Sequence, residues 1–94
     1  MYLHLGNNTI IRKDDIIGVF DLDNSTISRK TRDFLADAEK NGKVINVALE
    51  LPKSFVVCKK NDGFIIYICQ LSPVTIIKRA SQVNIYAEQE RNDI

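Results

Sequence analysis

The chain breaks into short apolar runs separated by polar punctuation, and the spacing predicts strands for most of them. Tyr2–Leu5 and Thr9–Ile11 read as two short strands, with Gly6-Asn7-Asn8 between them as a turn signal. Arg12-Lys13-Asp14-Asp15 is a charged loop leading into a third strand at Ile16–Phe20, and Asp21–Ser25 is polar and turn-like. The period then changes. Ile27, Thr31, Phe34, Leu35 and Ala38 share one face of a helix, which Thr26 or Ser28 can cap and Asn41-Gly42 can end. Val44–Glu50 returns to alternation, with Ile45, Val47 and Leu49 facing one way and Asn46, Ala48 and Glu50 the other.

Leu51-Pro52-Lys53 interrupts the run, and Ser54–Lys60 opens a hairpin. Asp62-Gly63 suits a two-residue type I′ turn that pairs Asn61 with Phe64, setting Cys58 opposite Tyr67 and Cys69 opposite Val56. Ser72 is an apt N-cap with Pro73 at the first helical position. Val74, Ile76, Ile77 and Ala80 then form a short amphipathic helix whose basic end carries Lys78 and Arg79. Val83–Ala87 is a candidate for one more strand.

The hairpin is apolar on both faces. Val56, Cys58, Ile65, Tyr67 and Cys69 lie on one, and Phe55, Val57, Phe64, Ile66 and Ile68 on the other. One helix layer covers one face, so the second needs the short helix, a curled sheet or another subunit. The expected fold is α+β, a small and mainly antiparallel β-sheet with one long and one short helix. A single domain spans residues 1–87, and 88–94 form a polar C-terminal tail.

Ninety-four residues bury a modest core, for which an added interface is a welcome source of stability. The formal net charge is only +1 and the pI about 7.8, below the value of about 9 that marks strongly basic nucleic-acid binders. Any contact with DNA must come from local patches or many copies. The start, Met1-Tyr2-Leu3-His4, lacks a signal-peptide pattern, and no apolar run is long enough to span a bilayer, so a cytoplasmic protein is expected. Cys58 and Cys69 are too few for a disulfide framework or a zinc site; two buried, reduced thiols and no cofactor are expected.

Gly18-Val19-Phe20-Asp21-Leu22-Asp23-Asn24-Ser25-Thr26 looks like the first motif of haloacid-dehalogenase phosphatases, in which a strand delivers two carboxylates to a magnesium-bound phosphate. Such enzymes also need a doubly wound sheet, a distant lysine and a further acidic pair, for which this chain has neither length nor βα alternation. The expectation is a polar turn and no enzyme. His4 has no nucleophile partner in a recognisable arrangement. Arg12-Lys13, Lys53 and Lys59-Lys60 are local basic groups at turns, each modest alone and stronger if identical subunits repeat them.

An ordered set of patches resembles the RemA/RemB family of small bacterial regulators of extracellular-matrix (biofilm) genes, its RemB members most. The patches are Leu3-His4-Leu5-Gly6-Asn7-Asn8, Ile16-Ile17-Gly18-Val19-Phe20, Leu51-Pro52-Lys53-Ser54-Phe55-Val56-Val57, Ile66-Tyr67-Ile68 and Leu71-Ser72-Pro73-Val74-Thr75. The resemblance implies a cytoplasmic DNA-binding transcription regulator whose subunits form a homo-oligomeric ring and contact promoter DNA through arginine-bearing loops. It implies no small-molecule substrate and no membrane. Where RemA-like members carry arginines before the third strand and before the hairpin, this chain has Asp15 and Leu51-Pro52. Arg12, Lys13 and Lys53 are the cations nearby and the expected phosphate contacts. The alternative is a non-DNA-binding partner that modulates a RemA-like paralogue by mixed assembly.

Overall fold

The computed structural model describes residues 2–22 and 28–81. Its elements are β1 (Tyr2–Gly6), β2 (Thr9–Arg12), a 3-10 turn (Lys13–Asp15), β3 (Ile16–Asp21), α1 (Arg29–Lys40), β4 (Val44–Asn46), β5 (Ser54–Lys60) and β6 (Gly63–Cys69). Residues 73–81 form a further helix, α2. Thr26, Ile27, the expected strand at 83–87 and the tail at 88–94 lie outside the described residues.

β1 and β2 form an antiparallel pair of their own. Asn7 and Asn8 supply left-handed φ values of 46° and 61°, the two consecutive positive angles that a tight hairpin turn needs. The main sheet has the order β3-β5-β6-β4. Its centre is β5, in which Ser54–Cys58 are all buried. Alternation sends Val56 and Cys58 to one side, against Leu3, Leu5 and Ile11 of the β1–β2 hairpin, Val47 and Ile76 of α2. Phe55 and Val57 go to the other side with Ile66, beneath Ala38 and Leu35 of α1. Both hairpin faces are therefore covered within one chain, the second by the N-terminal strands as well as the short helix.

Local chemistry sets the helix ends. Ser28 Oγ accepts the Thr31 N–H at 3.1 Å, and Gly42 just past the C-terminus has φ 71°. Ser72 Oγ accepts the Thr75 N–H at 3.2 Å. Arg79 Nη1 donates to the His4 carbonyl at 3.3 Å, tying α2 to β1. The Cys69 thiol donates to the Leu5 carbonyl at 3.3 Å and accepts the Leu71 N–H at 3.4 Å. Ser54, with no exposed surface, donates to the Leu71 carbonyl at 2.7 Å.

Three expectations change. The β5–β6 turn is centred on Asn61-Asp62, not Asp62-Gly63, with Asn61 at φ 51°. Lys60 pairs with Gly63, Cys58 faces Ile65 and Cys69 faces Ser54. This register pairs the two strands from end to end, and because it shifts pairing by two residues, every side chain keeps its expected face. Second, the alternation over Val44–Glu50 yields a strand only at Val44–Asn46, and that strand runs parallel to β6. Asn46 Oδ1 captures the Ala48 N–H at 2.9 Å, and Gln70 Oε1 captures those of Leu49 and Glu50 at 2.8 and 3.0 Å. Side chains thus satisfy donors that a longer strand would have paired. Third, Val74 and Ile77 of α2 and Phe34 of α1 are exposed rather than core.

β3 carries a bulge. Ile16 pairs with Cys58 and Gly18 with Val57, leaving Ile17 extra. Such a bulge blunts an edge strand against further pairing. Phe20 folds back over Gly18 and stacks on Phe55, centroids 4.9 Å apart. A Cβ on Gly18 would lie 2.7 Å from the Phe20 ring. Gly18→Ala therefore displaces the ring and lowers stability by about 1 kcal/mol, measurable as a lower urea midpoint at unchanged m-value.

Candidate nucleic-acid interface

The expected phosphate contacts all adjoin the β3–β5 ladder but do not form one cluster. Arg12 ends β2, exposed, and Lys13 opens the 3-10 turn immediately before β3. Lys53 precedes β5, and its backbone is held at both ends: its N–H donates to the Cys69 carbonyl at 2.9 Å, and its carbonyl accepts the Leu22 N–H at 2.8 Å. Because β3 and β5 are antiparallel, with Ile16 opposite Cys58 and Asp21 opposite Ser54, Lys13 and Lys53 lie at opposite ends of the pair. The ladder between them is about 17 Å long at the usual strand rise. They share a furrow between β3 and α2. Lys13 lines one cleft with Ile16, Ile76 and Ile77, Lys53 lines another with Asp21 and Pro73, and both clefts touch Val19.

Arg12 points elsewhere. It borders a cleft of about 220 Å³ with Lys59, Lys60, Asp15, Cys58 and Tyr67. Lys60 also borders the neighbouring cleft with Lys43, whose Nζ sits 4.7 Å from the Phe64 ring centroid. The structure thus joins Arg12 to Lys59-Lys60, which the sequence reading kept apart, and adds Lys43, which it missed. No pattern marks Lys43; the α1–β4 connection carries it to the β5–β6 turn.

Asp15 sits among these cations and acts on the groups beneath. The buried Cys58 thiol is pushed up to about 11 from 9.0, first by burial and then by the Asp15 charge. Burial, then Cys58 and Asp15, also raises Tyr67. The thiols are free, and their sheet positions hold them apart, with Cys58 beside Ile65 and Cys69 beside Ser54. The phosphatase-like motif fares differently from its parent context: β3 is an edge strand antiparallel to β5, not a strand of a parallel doubly wound sheet. Asp21 ends β3, and Asp23 lies outside the described residues. Among the described residues no group of three or more His, Cys, Asp or Glu could hold a metal ion. No helix among them is long and apolar enough to cross a membrane.

A family model described as RemA-like, extracellular matrix regulatory protein A-like, matches residues 2–80, which include every described element but the last residue of α2. The chain belongs to the RemA-like family. It is also similar to extracellular matrix regulatory protein B of Bacillus subtilis (strain 168), 36% identical over 80 residues, or 85% of this chain and 90% of that protein. In this RemA-like chain, exposed charge stands both beside the β3–β5 ladder and along α1, where Arg29, Lys30 and Arg32 mix with Asp33, Asp37 and Glu39.

The Cys58 environment makes a pH prediction. The folded protein holds the thiol proton over a range in which the unfolded chain releases it. This contribution is fully present below pH 9 and is lost as pH rises toward about 11. Urea unfolding should therefore show stability falling across that window, with a shallower fall in Cys58→Ala.

Proposed function

We propose that this RemA-like chain is a cytoplasmic regulator of extracellular-matrix genes that binds duplex promoter DNA as a homo-oligomeric ring. Arg12, Lys13 and Lys53 face phosphates. Family membership over residues 2–80 carries the matrix-regulatory part of the reading. The likeness to extracellular matrix regulatory protein B supports it. The DNA part is supported by three cations held next to the β3–β5 ladder.

The charge supports assembly. One copy has a formal net charge of +1 and splits its cations between two ends of the ladder. A single copy therefore makes few phosphate contacts, whereas a rigid ring repeats them and multiplies weak affinities. Binding on this basis is mainly to backbone, so it positions DNA more than it reads bases.

A second reading has its own support. Asp15 lies in the same cleft as Arg12, Lys59 and Lys60, which weakens that surface for phosphate. A chain so balanced also suits a partner that enters mixed assemblies with a RemA-like paralogue. Co-purification with such a paralogue, together with no DNA binding by the homo-oligomer, favours this second role.

The DNA reading predicts affinity for a promoter fragment that falls steeply with salt, each phosphate contact contributing a slope of roughly −0.9 in log K against log salt. Arg12→Ala with Lys53→Ala should weaken binding at least about tenfold, or about 1.4 kcal/mol, and flatten that slope. A gel shift across a salt series measures both. Unchanged binding in the double variant counts against these residues.

A further inference from the structure

The α1 side of the sheet is incompletely covered. α1 lies over β6, where Phe34 stacks on Phe64 at 5.6 Å, and leaves a groove of about 350 Å³ toward the β3 edge. Ile17, Phe20, Phe34, Phe55 and Val57 line it, with Lys30 at the rim. The bulge at Ile17 creates this lining, because it turns an additional apolar side chain toward α1. Ile17 is 63% exposed.

At the end of the sheet where β6 finishes and β5 begins, the loop between β4 and β5 presents the opposite shape. Leu49 and Leu51 are 73% and 76% exposed, more than most apolar side chains of the fold. The loop that displays them is rigid, since Gln70 Oε1 accepts two successive N–H groups from Leu49 and Glu50. A fixed loop displaying two leucines loses little entropy on docking. Between them stands Glu50, opposite in sign to Lys30.

We infer that the Leu49–Leu51 loop of one copy docks into the Ile17–Phe20–Phe34 groove of the next, with Glu50 toward Lys30. Three observations select a second copy as the occupant. Within one chain the loop is pinned to Gln70, leaves Leu49 and Leu51 in water and contributes nothing to the lining of the groove. Each is apolar, with complementary charge at the margin. The bulged β3 edge disfavours strand-to-strand pairing, which leaves side-chain docking as the way to cover it. The contact is head-to-tail, so repetition gives a closed ring or an open filament.

The inference rests on the reading that the chain works as an assembly, and the test separates the two. Solution mass is measured by light scattering for wild type, for Leu49→Asp/Leu51→Asp and for Ile17→Asp. All three substituted side chains are exposed, so the fold is retained, as circular dichroism verifies. The expected result is a multi-copy wild type and single copies for both variants. An equimolar mixture of the two variants should form pairs, because one intact loop meets one intact groove. Lys30→Glu should weaken assembly severalfold, and adding Glu50→Lys to the same chain should restore it. A wild type of single mass overturns both assembly and contact. Variants that keep the wild-type mass, or a mixture that forms no pairs, overturn the contact and leave assembly standing. A gel shift on the same samples tests DNA binding separately: an assembled wild type that binds no DNA defeats only that reading.

Discussion

Burial of β5 on both faces is the constraint on which the fold depends. Five consecutive residues, Ser54–Cys58, are removed from water, and alternation sends their side chains to opposite sides. Burying each Val or Phe is worth about 1.5–3 kcal/mol relative to exposure, and neither side can be left open without forfeiting that. One side is closed by α1. The other is closed by residues from both ends of the described chain, the β1–β2 hairpin and α2; Arg79 ties α2, and the Cys69 thiol ties β6, to the backbone of β1. Ser54 is the polar exception in the buried run, and its hydroxyl is satisfied by Leu71.

Function follows from where this closure is tight and where it is not. The ladder between β3 and β5 sets the backbone positions of the residues that flank it, Lys13 before β3 and Lys53 before β5. The closure is looser toward the β3 edge, where Phe20 stacks on Phe55 yet remains half-exposed. The loop from β4 to β5 is loose in a different sense. It is polar-bonded to Gln70 and apolar outward, an arrangement that spends its hydrogen bonds on rigidity while leaving two leucines in water. A chain of this size closes its core with little left over, and the apolar side chains that remain in water include Ile17 and Phe20 at the β3 edge, Leu49 and Leu51 on the β4–β5 loop and Val74 and Ile77 on α2.

Much of this was legible. The Asn7-Asn8 turn, the caps at Ser28 and Ser72, the Gly42 terminus and the two faces of the β5–β6 hairpin all stand where residue types and periodicity put them. The family resemblance rested on residues in the same segments and agrees with the match over 2–80. Less legible were Leu49, whose alternation pointed to a strand, and Ile77 and Val74, whose helical spacing pointed to a core. Leu49 depended on a neighbour far along the chain, since Gln70 is 21 residues away. Lys43 carried no signal at all, since its place beside Phe64 comes from the path of the α1–β4 connection.

The sequence by itself determined the helix caps, the Asn7-Asn8 turn and the side on which each β5 and β6 residue falls, because caps, turns and period-two alternation act over a few residues. Only the tertiary structure decided the hairpin register, the parallel placement of β4, the bulge at Ile17 and the grouping of cations. Arg12 joins Lys59 and Lys60 while Lys13 and Lys53 stand apart. Those features are settled by contacts between distant segments competing to cover one doubly apolar strand, and no local pattern encodes the outcome of that competition.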